Sequence, residues 1–233
     1  MNLRKLIELF RIETDDLVAP FAWQDPELAE YATDAQNEAC RRARLLVDSS
    51  SADICQYEVL AGDPWITLDP RVIFVRRAKV GQRTSRLTRF SYRDLDPVPG
   101  WEAHLAIPHG FITDMETGKL RLYPYYEPDN PLPVPPATAT QVDTLSLTVV
   151  RLPLTDLTHP DDTVEIHDRY ARNLRHWMAY RAYMKRDSEV FNPVKAAEAL
   201  KLFEAEFGPP SSAVEEEWIE RTRDNAEDLD GTF

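Results

Sequence analysis

The stretch DPELAEYATDAQNEACRRARLL, Asp25 to Leu46, carries the strongest pattern in the chain. Leu28, Tyr31, Ala32, Ala35, Ala39, Ala43 and Leu46 recur at intervals of three and four, the spacing that lines up side chains on one helical face. Asp25 offers an N-cap, Pro26 suits the first helical position, and Glu27 lies beside the positive end of the helix dipole. The alanines on this face let another helix approach closely.

Toward the N-terminus, Leu3, Leu6, Ile7 and Phe10 define a short amphipathic helix that stops before the Asp15–Pro20 stretch. In the loop that follows, Pro20-Phe21-Ala22-Trp23, Trp23 is expected to pin the loop to the helices. Toward the C-terminus the period changes at Ser49. Ile54–Val59, Trp65–Leu68, Val72–Val75, Leu87–Tyr92, Phe111–Met115, Leu120–Tyr123 and Thr144–Val150 are short β-rich runs. Turn chemistry separates them at Ala61-Gly62-Asp63-Pro64, Val80-Gly81, Thr117-Gly118 and the proline-rich Glu127–Pro136. That last segment is extended, either as a plain connection or as a loop reaching toward a neighbour.

After Asp161 the helical period returns. Tyr170, Leu174, Trp177, Met178, Arg181 and Met184 are placed on one face, and Asp168 is read as the cap. Asn192-Pro193 opens a helix on which Ala196, Leu200, Phe203 and Phe207 align, and Gly208-Pro209-Pro210 ends it. Ser212 and Glu215 form a capping-box pair for a final, mostly polar helix with Trp218 and Ile219 on it. That pair either docks on a partner or packs on its own domain.

The fold class expected is α+β: a helical bundle from residues 1–50 and 161–208, with an inserted antiparallel sandwich or barrel-like module at 51–160 and an acidic tail at 209–233. At 233 residues, 43% hydrophobic and 29% charged, the chain is long and apolar enough for one sizeable domain or one with an appendage. No run of about 18 apolar residues occurs, and the first residues lack the apolar core of a signal peptide. The chain is expected to act where it is made, in the cytoplasm or in a particle assembled there. Cys40 and Cys55, expected on a helix and a strand, read as buried free thiols.

A net charge of -13 argues against general affinity for nucleic acid, but the charge is unevenly placed. Arg71, Arg76, Arg77, Lys79, Arg83, Arg86, Arg89 and Arg93 follow one another with no acid between them. From Ser211 to Phe233 there are eight acids against Arg221 and Arg223. These runs are either solvated faces or a basic strip that meets acidic surface on a neighbour.

No phosphate-binding glycine loop, dinucleotide fingerprint, zinc-protease motif or nucleophile elbow is present. His104 and His109, near Asp114, match no zinc spacing and flank a Pro-His-Gly turn. No catalytic residue, cofactor or metal is expected.

The order of features resembles the head-to-tail adaptor, or connector, proteins of tailed phages, chiefly short-tailed ones. The resemblance rests on Leu6-Ile7-Glu8-Leu9-Phe10-Arg11, Pro20-Phe21-Ala22-Trp23, Asp25-Pro26-Glu27-Leu28 and the helix Asp34 to Arg44. It continues through Gly100-Trp101, Ile107-Pro108, Leu120-Arg121-Leu122-Tyr123-Pro124, Trp177 to Tyr183, Asp187-Ser188-Glu189 and Phe203 to Gly208. It covers Leu3 to Gly208. One departure, Tyr31-Ala32-Thr33-Asp34 where a Leu-Asn-rich version is expected, leaves the helix intact.

The resemblance implies a virion protein of the neck: a homo-oligomeric ring of twelve copies, assembled in the host cytoplasm and docked under the portal protein. The ring would extend the DNA channel, lie close to genomic DNA without sequence-specific contact, and present a platform for tail tube or nozzle proteins. No cofactor, membrane or catalytic residue comes with it. The contacts expected between copies or partners are Arg76, Arg77, Lys79, Arg83, Arg86, Arg89, Trp218, Ile219, Asp224 and Asp228. Rival readings are another neck or tail-completion ring protein, a hydrolase, or a DNA-binding module using Arg71 to Arg93.

Overall fold

The computed structural model describes residues 1–81, 85–127, 141–186 and 189–210. Among them the chain forms two compact units, Met1–Leu46 with residues 152–210, and Val47–Arg151.

In the first unit, α1 (Leu3–Thr14) starts at Asn2, whose side chain accepts a hydrogen bond from the Lys5 N–H at 3.1 Å. Leu3, Leu6, Ile7 and Phe10 are its buried face, as their spacing requires. The helix α2 (Asp25–Ala43) buries Leu28, Ala32, Ala35, Ala39 and Cys40 completely. Its cap corrects the sequence reading. Gln24 is the N-cap, without a side-chain bond, and Asp25 is already helical; its carboxylate accepts from Arg11 instead.

The expected helix after residue 161 is broken into α3 and α4 around Arg172 and Asn173. Here α3 spans Asp168–Ala171 and α4 spans Leu174–Tyr183. His167, not Asp168, caps the first piece, its Nδ1 accepting from the Arg169 N–H at 3.2 Å. On α4 the buried face is Leu174, Met178, Ala179, Ala182 and Tyr183. Arg181 and Met184, expected among them, are exposed. The last helix of the unit, α5 (Pro193–Phe207), begins and ends as its sequence requires. Asn192 accepts from the Lys195 N–H at 3.1 Å, Pro193 takes the first turn, and Gly208 closes the helix at φ 88°.

These helices share one core. Trp23 is buried in it, edge-on to Phe10 at 5.4 Å and to Tyr183 at 5.8 Å, so it does anchor the loop between α1 and α2. Trp177 and Phe203 lie 5.0 Å apart, with the Arg42 guanidinium about 5 Å from both rings.

In the second unit, β1 (Leu46–Asp48), β2 (Gln56–Leu60), β3 (Trp65–Thr67), β4 (Val72–Val80), β5 (Thr88–Arg89), β6 (Gly110–Ile112), β7 (Lys119–Tyr123) and β8 (Gln141–Arg151) form two four-stranded sheets. In one, β8 is paired antiparallel by β2 and β4 and is also joined by β1. The other runs β3-β7-β6-β5. Neither sheet closes into a barrel, and β5 runs parallel to β6, so the expectation of a barrel-like, wholly antiparallel module is corrected. Cys55 also departs from its expected strand: it ends a helical turn, Ala52–Cys55, that leads into β2.

The second sheet carries its own core, Leu95, Trp101, Ile112 and Tyr123, with Phe90 and Met115 against it. Arg121 on β7 is buried among Trp65, Trp101 and Tyr125, and its Nη2 donates to the Glu102 carbonyl at 2.6 Å. Gly110 is where this core permits no side chain. A Cβ there would lie 2.3 Å from the Phe90 ring and 3.0 Å from the Thr88 carbonyl. Gly110→Ala is therefore expected to lower stability by about 1–3 kcal/mol through overpacking, measured by urea unfolding.

Candidate functional site

Strand β4 carries three of the ten predicted contact residues, Arg76, Arg77 and Lys79, and an irregularity in its pairing decides how they are presented. Val75 pairs with Val149 and Arg77 with Thr148, so Arg76 is an extra residue with no counterpart on β8. Strict alternation would send Arg76 outward and Arg77 inward. The bulge resets the alternation: both arginines are exposed, while Val75, Ala78 and Val80 keep one continuous buried face. A second bulge at Ile73, between the Val72–Arg151 and Phe74–Val150 pairs, leaves Val72, Ile73 and Phe74 all half-buried.

Arg76, Arg77, Lys79 and Arg86 pair with no acid among the described residues. Other members of the basic run are engaged. Arg71 grips Asp69 with two bonds of 2.9 and 2.8 Å, and this guanidinium holds the Asp69 carboxyl below its usual range. Arg89 on β5 donates to the Thr113 hydroxyl at 2.9 Å, and the Arg93 Nε to the Tyr92 hydroxyl at 3.1 Å. The structure thus gathers Arg76, Arg77 and Lys79 on one strand, with Arg86 exposed just beyond it and Arg89 held apart. Arg83, Trp218, Ile219, Asp224 and Asp228 lie outside the described residues.

His104 and His109 sit edge-on to the Tyr123 ring at 5.9 and 5.6 Å, while Asp114 accepts from the Ser91 hydroxyl and the Tyr92 N–H. The three are packing and turn residues. Among the described residues no cluster of three or more His, Cys, Asp or Glu side chains could hold a metal, and no helix is long and apolar enough to cross a membrane.

Two charged networks escaped the sequence reading. Arg11 is buried. It donates to Asp16 at 2.5 Å, to Asp25 at 2.6 Å and to the Trp23 carbonyl at 3.1 Å, with its guanidinium 3.7 Å from the Phe21 ring centre. It thereby ties the α1–α2 loop to α1. Asp48, at the end of β1, accepts from the backbone N–H groups of Ser50 and Ser51, both serine hydroxyls and the Arg151 Nε. Burial alone would raise its pKa. The Ser50 N–H, the Ser51 hydroxyl and Arg151 outweigh that and hold the carboxyl far below the usual range. The same burial, with Asp48 adjacent, pushes the Cys55 thiol up, away from reactivity.

Compared with known protein families, residues 1–225 match the SU10 adaptor protein family. The chain belongs to that family. No curated protein matches it. The match spans the resemblance read from Leu3 to Gly208 and extends into the tail. As a member of a phage adaptor family the chain is a virion component that interacts with other virion proteins, and the role of an adaptor is structural, not enzymatic.

Proposed function

We propose that this SU10-family adaptor forms a ring between the portal and the tail or nozzle proteins and extends the DNA channel through the neck of the particle. The family match over residues 1–225 carries the reading. In it, the helices of residues 1–50 and 161–208 are a bundle, residues 51–160 an inserted sandwich-like module, and residues 209–233 an acidic tail. Twelve copies, the number implied by the resemblance to portal-docked adaptors, close the ring.

A ring joins two different faces of one chain, since each copy meets the next through a heterologous contact. The exposed Arg76, Arg77 and Arg86, with the half-buried Lys79, supply one face. The acids of the tail, Asp224 and Asp228 among them, supply the other. The acidic balance of the whole chain suits a conduit that lets DNA pass, because a basic lumen would retain phosphates.

Arg77 and Arg86 are exposed and make no intramolecular ion pair among the described residues, so reversing both to glutamate is expected to leave thermal stability within about 0.5 kcal/mol of wild type. The same variant is expected to yield few closed rings when mixed with purified portal and imaged by electron microscopy. Complete rings from the variant would refute the pairing of these faces, and wild-type chain that binds only tail components would refute the portal assignment.

A further inference from the structure

We propose that the bulge at Arg76, together with the charges of Arg76, Arg77 and Lys79, keeps the outer edge of β4 from pairing with strands of other copies. This protection goes beyond the ring reading and does not rest on it.

A strand at the border of a sheet shows a row of unpaired N–H and C=O groups, a template on which another chain can add a strand. Among the described residues β4 is paired by β8 alone, over nine residues from Val72 to Val80. On its other side the chain returns beyond Gly81 and makes one backbone bond to it, from the Leu87 N–H to the Ala78 carbonyl at 2.9 Å. Thr88 and Arg89 then leave to pair with β6 in the second sheet. The sequence adds to the hazard. Val72-Ile73-Phe74-Val75 is β-branched and aromatic throughout, without charge or proline, the composition that pairs most readily with copies of itself.

Several features of the strand oppose such pairing. Arg71 and Arg76-Arg77 bracket the apolar run with charge. The bulges at Ile73 and Arg76 break the regular spacing that an added strand must match and raise the local twist. Full antiparallel overlap of two β4 strands sets Arg76 opposite Arg76, and parallel overlap sets each basic residue beside its own counterpart. Like charges in those positions destabilise a strand pair.

The pairing within the chain does not require the inserted arginine. Arg76 has no counterpart on β8, and the pairs on either side of it, Val75 with Val149 and Arg77 with Thr148, are already consecutive on β8. Without Arg76 the order Val75, Arg77, Ala78 would alternate regularly, with Val75 and Ala78 still on the buried face. What the insertion alters is therefore the edge, not the core.

Thioflavin T fluorescence and sedimentation velocity of the full-length chain, without portal, test this. Wild type is expected to leave the dye dark. A chain lacking Arg76 and carrying Arg77→Thr and Lys79→Thr is expected to light the dye and to sediment as large species whose share rises with concentration. The same deletion with Arg77→Glu and Lys79→Glu is expected to behave as wild type, because charge of either sign guards an edge. The urea midpoint of the threonine chain, taken at a concentration where it is still dispersed, is expected to match wild type. A threonine chain that stays dark with a wild-type sedimentation profile overturns the proposal, as does a glutamate chain that aggregates equally. Aggregation that comes only with a lowered urea midpoint overturns it too, since unfolding would then be the cause. The glutamate chain also separates this role from the ring reading: its edge stays guarded, while its contact with the tail acids is expected to be lost.

Discussion

Replacing Asp48 by alanine will destabilise the chain by about 3–5 kcal/mol, read as a lowered urea midpoint, because it strips a buried ion pair of one member. The Asp48 and Arg151 side chains are 6% and 11% exposed, so water does little to compensate for the missing carboxylate. Ser50 and Ser51 also lose their acceptor, which frees the turn that follows β1.

Asp48→Asn separates charge from shape. The folded carboxyl titrates far below the unfolded one, so its contribution to stability is complete above the unfolded pKa of about 3.9 and declines as pH falls beneath it. The stability gap between wild type and Asp48→Asn is therefore expected to be constant from pH 7 to pH 5 and to narrow below pH 4. A gap that stays constant or widens on acidification would show that charge at Asp48 is not what stabilises the fold.

Arg11→Ala is expected to cost a similar amount, about 3–5 kcal/mol, because it leaves the Asp16 carboxylate, 6% exposed, without its counter-charge. Asp16 also accepts from the Ala22 N–H, and Arg11 also holds the Trp23 carbonyl, so the loop carrying Phe21 and Trp23 loses its tether. Trp23 fluorescence is a local reporter. It should shift toward that of an exposed indole in the variant, at urea concentrations where wild type is unchanged. An unaltered emission spectrum would mean that aromatic packing on Phe10 and Tyr183 alone holds the loop.

What could be read from the sequence was periodicity and end chemistry. The α1 face, the alanine face of α2, the Asn192-Pro193 start and the Gly208 stop are local signals, each a matter of residues within one or two turns. What was missed depends on partners distant in sequence. Asp25 has the right chemistry for a cap, yet Arg11 claims its carboxylate from 14 residues away. Asp48 looks like an ordinary loop acid until Arg151, 103 residues on, is brought beside it. The β-rich run Val72–Val75 predicts a strand that ends at Val75, whereas β4 continues to Val80 past a break in the alternation at Arg76-Arg77. A single inserted residue explains the break, and the resumed pattern at Ala78 and Val80 was the available clue. The same slip that hid the strand is what presents two adjacent guanidiniums on one face. The parallel pairing of β5 with β6 rests on two residues of each strand, too short for any pattern to record.

Cryo-electron microscopy of the neck in intact particles tests the central claim most directly. A closed ring of this chain between portal and tail, twelve copies with β4 of each facing its neighbour, is the result predicted. Particles in which the chain is absent from that vertex, or sits there as isolated copies that do not touch one another, would contradict it.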